Sequence, residues 1–161
     1  MEFAITAGFR LMTPAANEKR QESVYFTKEG WLLVYLAVGA AGMIGALVRY
    51  VVGLVVPAAW LGGVPLGTLL VNWTGSFLLS WLTVVFTRRP SWPPWLKTAA
   101  TTGFIGSYTT FSTLSVECVE WMEQGRFGMA AVYIAASLFG GLAAAWAGYV
   151  AAHPKRKEEI A

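Results

Sequence analysis

Four long apolar runs, separated by short polar connections, dominate the pattern of hydrophobic and polar positions along the chain. Each run is long enough to cross a bilayer as a helix, which takes about 20 apolar residues. Short connections place neighbouring helices antiparallel. The pattern predicts an all-α integral membrane domain over residues 29–152, after a poorly ordered extension (1–28) and before a basic tail (153–161). The predicted spans cover residues 30–50, 64–86, 95–121 and 127–151.

Composition supports a membrane protein and excludes several other classes. Of the 161 residues, 56% are hydrophobic and 13% are charged, whereas soluble domains carry about 25% charged residues. The single Cys118 and single His153 exclude a metal site built from Cys and His. No nucleophile–base pair is evident, so we do not expect an enzyme. The net charge of +3 is interpreted as membrane topology and not as nucleic-acid binding.

Basic residues are distributed unequally between the two sides of the predicted bundle. The positive-inside rule therefore predicts a multi-pass plasma-membrane protein with cytoplasmic N- and C-termini. Arg49 and Arg126 fall on the opposite side. The basic residues on the predicted cytoplasmic side include Lys19, Arg20, Lys28, Arg88, Arg89, Lys97, Lys155, Arg156 and Lys157.

The first span ends in Arg49, for which two interpretations stay open. The side chain either snorkels to the membrane interface or draws anions inward. Earlier in the same span, the small residues Ala41, Gly42, Gly45 and Ala46 predict close contact with another helix.

The third span contains the most unusual pattern, because residues 103–115 combine two glycines with a run of Ser and Thr. Glycine disfavours helix, and Ser and Thr side chains offer the backbone competing hydrogen bonds. The pattern predicts a helix break at membrane depth, where freed main-chain carbonyls can ligate a small cation. Glu117 follows in the apolar part of this span and is a functional candidate because it is ionisable.

Polar residues also recur within the second and fourth spans. Tyr133 and Ser137 are four residues apart in the fourth span and share a helix face. In the second span the recurring side chains form a stripe that either lines an ion path or bonds to a neighbouring helix; both interpretations stay open. The stripe consists of Thr68, Asn72, Ser76 and Ser80.

Three motifs together resemble the Fluc (CrcB) family of small fluoride channels, over roughly residues 36–148. They are residues 41–50, residues 67–77, and residues 103–115 with Glu117. The resemblance implies four-helix subunits in an antiparallel, inverted dimer that releases toxic fluoride passively from the cytoplasm. It also implies a structural Na⁺ bound by the carbonyls of Gly106 and Thr109. The residues it places along the fluoride route are Asn72, Phe111, Tyr133 and Ser137, with Thr68, Thr110, Ser112 and Glu117 as polar supports.

The chain departs from the family pattern in two respects. Leu114 stands where the family usually has a second Phe, so one ring of an aromatic pair is missing. The charge bias is strong for a chain that would insert in both orientations. The partner in the membrane is therefore either an identical chain or an oppositely oriented paralogue.

Two other functions fit four short spans. A proton-coupled multidrug or cation exporter would need a carboxylate deep in the first span, which offers only Glu29 at its edge. A membrane assembly factor without transport activity would not need the break of glycines and hydroxyls.

Overall fold

The computed structural model describes residues 28–56 and 63–153, and within these residues it is built of helices without strands. This confirms the predicted all-α class. The predicted N-terminal extension and basic tail lie almost entirely outside the described residues. The α-helices are α1 (Lys28–Val55), α2 (Leu66–Arg88), α3 (Pro94–Thr98), α4 (Gly106–Tyr108), α5 (Ser112–Glu123) and α6 (Phe127–Ala152).

Three of the described helices are long and apolar enough to cross a membrane: Gly30–Val55 within α1, Leu66–Arg88 and Phe127–Ala152. The 23 residues of α2 span about 34 Å at 1.5 Å per residue, against a hydrocarbon core about 30 Å thick. Large apolar side chains such as Leu47 and Trp146 are exposed along these helices. Such a surface suits contact with lipid tails better than contact with water.

The segment between α2 and α6 is divided into shorter pieces. Pro94 occupies the first turn of α3, where its missing N–H is tolerated. A π-helical stretch, Ala99–Ile105, follows and leads into the single turn of α4. Because α5 contains only 12 residues, no continuous helix of this segment is long enough to cross a bilayer by itself.

The chain divides into a short unit that ends at Leu33 and a larger unit that begins at Val34. In the larger unit, helix α1 packs against the π-helical stretch through glycines. A side chain at Gly45 would collide with the Phe104 carbonyl, and a Cβ at Gly103 would lie 2.7 Å from the Val38 carbonyl oxygen. The small-residue face predicted for the first span is therefore confirmed.

Helix α5 is held between α2 and α6 by an apolar cluster. Tyr133 and Trp121 meet edge to face, with their ring centroids 5.2 Å apart. The cluster therefore takes side chains from all three helices. The buried members of the cluster are Leu69, Leu114, Cys118, Trp121, Ala130 and Tyr133.

Candidate functional site

The backbone between α4 and α5 is not helical, and Asn72 of α2 binds it directly. Thr109 is extended, with φ −79° and ψ 158°. The Asn72 amide donates from Nδ2 to the Thr110 carbonyl at 2.9 Å. It also accepts the Thr110 N–H at Oδ1 over 2.8 Å. One side chain therefore satisfies both the main-chain N–H and the main-chain carbonyl of Thr110 at the point where the helix stops.

These contacts change the environment of two main-chain carbonyls. In a continuous α-helix, the N–H of residue i pairs with the carbonyl of residue i−4. The Thr110 N–H would then pair with Gly106, but it binds Asn72. The Thr113 N–H would pair with Thr109, but it donates to Thr110 Oγ1 at 3.2 Å. The carbonyls of Gly106 and Thr109 therefore lose the donors that a continuous helix would supply.

Arg49 contacts the same stretch from α1. Helix α1 continues to Val55, whereas the span was expected to end at Tyr50. Both interpretations of Arg49 stay open, because they depend on where the membrane interface lies. The Arg49 Nε donates to the Ser107 carbonyl at 3.1 Å. The guanidinium thereby satisfies a carbonyl near the end of α4, where helix carbonyls lack intrahelical partners.

Glu117 forms the centre of a second polar group, one turn into α5. Thr68 Oγ1 donates to Glu117 Oε1 at 2.8 Å, and the Tyr133 hydroxyl donates to Glu117 Oε2 at 2.6 Å. Thr68 is 8% exposed and Tyr133 is 2% exposed. Short bonds of this kind to a carboxylate are stronger than bonds between neutral groups. Three helices, α2, α5 and α6, are thus joined through one carboxylate.

A groove of about 320 Å³ runs beside the non-helical stretch. Asn72, Thr110, Phe111 and Ser137 all line this groove. Phe111 is 80% exposed and projects from the chain. Leu114 also lines the groove although it is mostly buried in the cluster between α2 and α6.

A second cavity, of about 410 Å³, lies against α1 and α2. Arg49, Thr68, Thr110 and Thr113 contribute its polar lining. The cavity therefore touches both sets of hydrogen bonds. Thr68 belongs to the set around Glu117, and Thr110 belongs to the set around Asn72. Thr113 was not singled out from the sequence, although its position within the run of hydroxyl residues was the available signal.

The predicted site residues thus fall into two sets. Glu117, Thr68 and Tyr133 bond to one another. Asn72, Thr110, Phe111 and Ser137 share the groove. Ser112 does not line it, but its Oγ lies 3.3 Å from Thr110 Oγ1. In the chain as described, Tyr133 is closed off from the groove by its burial and belongs to the carboxylate set.

Apolar helices of membrane-spanning length, packed around an interrupted helix with polar lining, define the class as a multi-pass membrane protein with a polar interior site. Residues 36–149 match the family described as CrcB-like protein, Camphor Resistance (CrcB). This chain belongs to that family.

Individual relatives are similar over most of the chain. One is named fluoride-specific ion channel FluC 2, from Geobacillus kaustophilus (strain HTA426). It is 84% identical over 128 residues, which cover 80% of this chain and 99% of the relative. Fluoride-specific ion channel FluC 1 of Bacillus anthracis is 45% identical over 117 residues, which cover 73% of this chain and 85% of the relative. Fluoride-specific ion channel FluC of Bordetella bronchiseptica (strain ATCC BAA-588 / NCTC 13252 / RB50) is 43% identical over 111 residues, covering 69% and 84%.

Proposed function

We propose that this protein is a fluoride-specific ion channel that carries fluoride passively out of the cytoplasm across the plasma membrane and so lowers its toxicity. The observation that carries the proposal is 84% identity to a relative named as such a channel, over nearly the whole length of that relative. The groove beside Asn72 and Phe111 provides the matching chemistry. The protein is a channel and not an enzyme.

Fluoride is small and strongly hydrated, so a path through the membrane must replace its water with hydrogen-bond donors. The Asn72 amide has two N–H donors, of which one binds the Thr110 carbonyl. The other is left for an anion in the groove. Phe111 offers the positive edge of its ring without the deep electrostatic trap of a full charge. Several modest contacts of this kind let the ion bind and leave.

A structural Na⁺ fits the non-helical stretch. Unwound carbonyls are suitable ligands for Na⁺ within membranes, and the donors that would saturate Gly106 and Thr109 in a helix bind elsewhere. These two carbonyls would hold the ion. Once bound, it supplies a fixed positive charge that raises the local potential for anions. Asn72, Thr110 and Arg49 keep the surrounding backbone in position.

The functional unit is an inverted dimer in which residues 95–121 form the third crossing as two half-helices. Phe111 is 80% exposed in the single chain, and a reversed partner would cover it and close the groove. The partner is an identical chain or an oppositely oriented paralogue, and membrane lipid surrounds both. The strong bias of basic residues towards one side favours the paralogue.

Fluoride efflux from liposomes tests the function. Purified protein should release fluoride from loaded vesicles, measured with a fluoride electrode, and should release neither chloride nor a cationic dye. Loss of dye driven by a proton gradient would instead identify an exporter. The absence of fluoride release from this chain, both alone and co-purified with a paralogue, would reject the proposal.

The same vesicles separate the two kinds of dimer. If the chain pairs with itself, purified protein alone releases fluoride and crosslinks to a dimer. If it pairs with a paralogue, both properties require co-expression of the two chains. Full flux from the chain alone would reject an obligatory paralogue.

A further inference from the structure

A second groove, separate from the cavity that Arg49 lines, adjoins the groove at Asn72 towards the C-terminal end of α2. It has a volume of about 290 Å³ and is lined by Thr83, Phe86, Thr87, Lys97 and Thr101. Thr101 lines both grooves, so the two meet at this residue. Hydroxyl residues therefore contribute to the lining from the non-helical stretch to the C-terminal end of α2 and to α3, together with the apolar Leu79 and Phe86.

One face of α2 forms the floor of both grooves. Its lining residues recur every three or four positions, which keeps them on one side of a helix. From the first to the last of them the helix rises about 22 Å, most of the thickness of the hydrocarbon core. Ser80, the last member of the predicted polar stripe, lines neither groove, whereas the apolar Leu79 lines the first. These lining residues are Asn72, Ser76, Leu79, Thr83 and Thr87.

The hydroxyl protons in the second groove are committed to the backbone. Thr83 donates to the Leu79 carbonyl at 2.7 Å, and Thr87 donates to the Thr83 carbonyl at 2.8 Å. Thr101 donates to the Lys97 carbonyl at 2.8 Å. These hydroxyls therefore present oxygen lone pairs to the groove, and lone pairs repel an anion.

Lys97 reverses that polarity. Among the described residues that line the two grooves, it is the only charged side chain. It is half-buried, and an ammonium at the mouth of a polar groove attracts anions and raises their local concentration. The predicted topology places Lys97 on the cytoplasmic side, from which efflux starts.

We infer that Lys97 is the anion-recruiting residue at the cytoplasmic end of this groove, and that the shared lining residue Thr101 connects it to the groove at Asn72. The inference rests on the proposed function and adds to it the entrance, or mouth, at which the anion is recruited. The ligand is a small hydrated monovalent anion, which Lys97 concentrates without holding it tightly.

Initial fluoride flux through Lys97→Gln in proteoliposomes, at low and high concentrations of an impermeant salt, tests the inference. Arg89→Gln is the matched control, because it removes an equal charge from a nearby exposed residue, directly after α2, that lines neither groove. At about 0.01 M salt, where charges act over about 30 Å, we expect Lys97→Gln to lower the flux about fivefold. At about 1 M salt the deficit should vanish. Lys97→Arg should retain the wild-type flux under both conditions.

Three results would overturn the inference. Equal fluxes for Lys97→Gln and Arg89→Gln at low salt would show that position 97 has no special role. A deficit that high salt leaves unchanged, and that Lys97→Arg shares, would indicate a structural role. Wild-type protein that carries no fluoride would defeat the proposed function as well, whereas the first two results defeat the mouth alone.

Discussion

Replacing Asn72 by Leu should close the interruption between α4 and α5 and so stop conduction. The substitution keeps much of the side-chain volume and removes both bonds to the Thr110 peptide, of 2.8 and 2.9 Å. A buried group left without its partner costs about 1–3 kcal/mol, so the two bonds together contribute about 2–6 kcal/mol. The site is only partly buried, which favours the lower end of that range. A free-energy change of about 2 kcal/mol shifts the equilibrium between the interrupted backbone and a continuous helix roughly thirtyfold.

The released Thr110 N–H would then be free to pair with the Gly106 carbonyl, as in a continuous helix. Fluoride release from liposomes should fall by about the same factor. Ser80→Ala is the matched control, since it removes a hydroxyl from the same helix at a position that lines neither groove. It should conduct close to the wild-type rate. Wild-type flux and an unchanged melting temperature for Asn72→Leu would refute the argument that this amide holds the interruption open.

Other substitutions test other parts of the site. Gly75→Ala places a methyl group against the Thr109 side chain, so it should lower stability by about 1–3 kcal/mol and reduce flux. In the control Gly39→Ala the added methyl group meets nothing within 4 Å, so stability and flux should both stay at the wild-type level. Thermal unfolding and fluoride efflux measure the two effects. Phe111→Ala should reduce fluoride release by roughly tenfold with normal expression, and an unaltered rate would remove the ring from the ion path. Glu117→Gln replaces one hydroxyl-accepting oxygen by a donor, so the melting temperature should fall; an unchanged value would show that its two bonds contribute nothing.

Much of the helical architecture could be predicted because it depends on local pattern. The apolar runs predicted α1, α2 and α6, and their lengths satisfy the requirement for spanning a membrane. The small residues of the first span predicted its close contact with another helix, which Gly45 and Gly103 provide. The four crossings and the inverted dimer stay predictions, because they depend on a partner and on a bilayer.

The functional residues were less predictable where their role depends on a distant partner. A lone acid in an apolar segment marked Glu117 as a candidate, but nothing in the sequence paired it with Thr68 and Tyr133. Those two residues precede and follow it by 49 and 16 positions, and only the packing of three helices brings them together. The contact of Arg49 was unpredictable for a related reason, since its partner is the carbonyl of Ser107, a main-chain atom without any residue-type signal.

The interruption between α4 and α5 is therefore a property of the packed helices as much as of its own residues. Glycines and hydroxyls weaken the local helix, yet residues of this kind also occur in unbroken helices. The opposing bonds come from elsewhere: the Asn72 amide on α2 occupies the Thr110 peptide, and Arg49 on α1 occupies the Ser107 carbonyl. The carbonyls of Gly106 and Thr109 do not receive the N–H of the residue four positions later, as they would in a continuous helix. The Asn72 contact leaves the Gly106 oxygen available, and the Thr110 hydroxyl does the same for Thr109 by taking the Thr113 N–H. The proposed cation site therefore depends on one contact from a neighbouring helix and one within the interrupted segment itself.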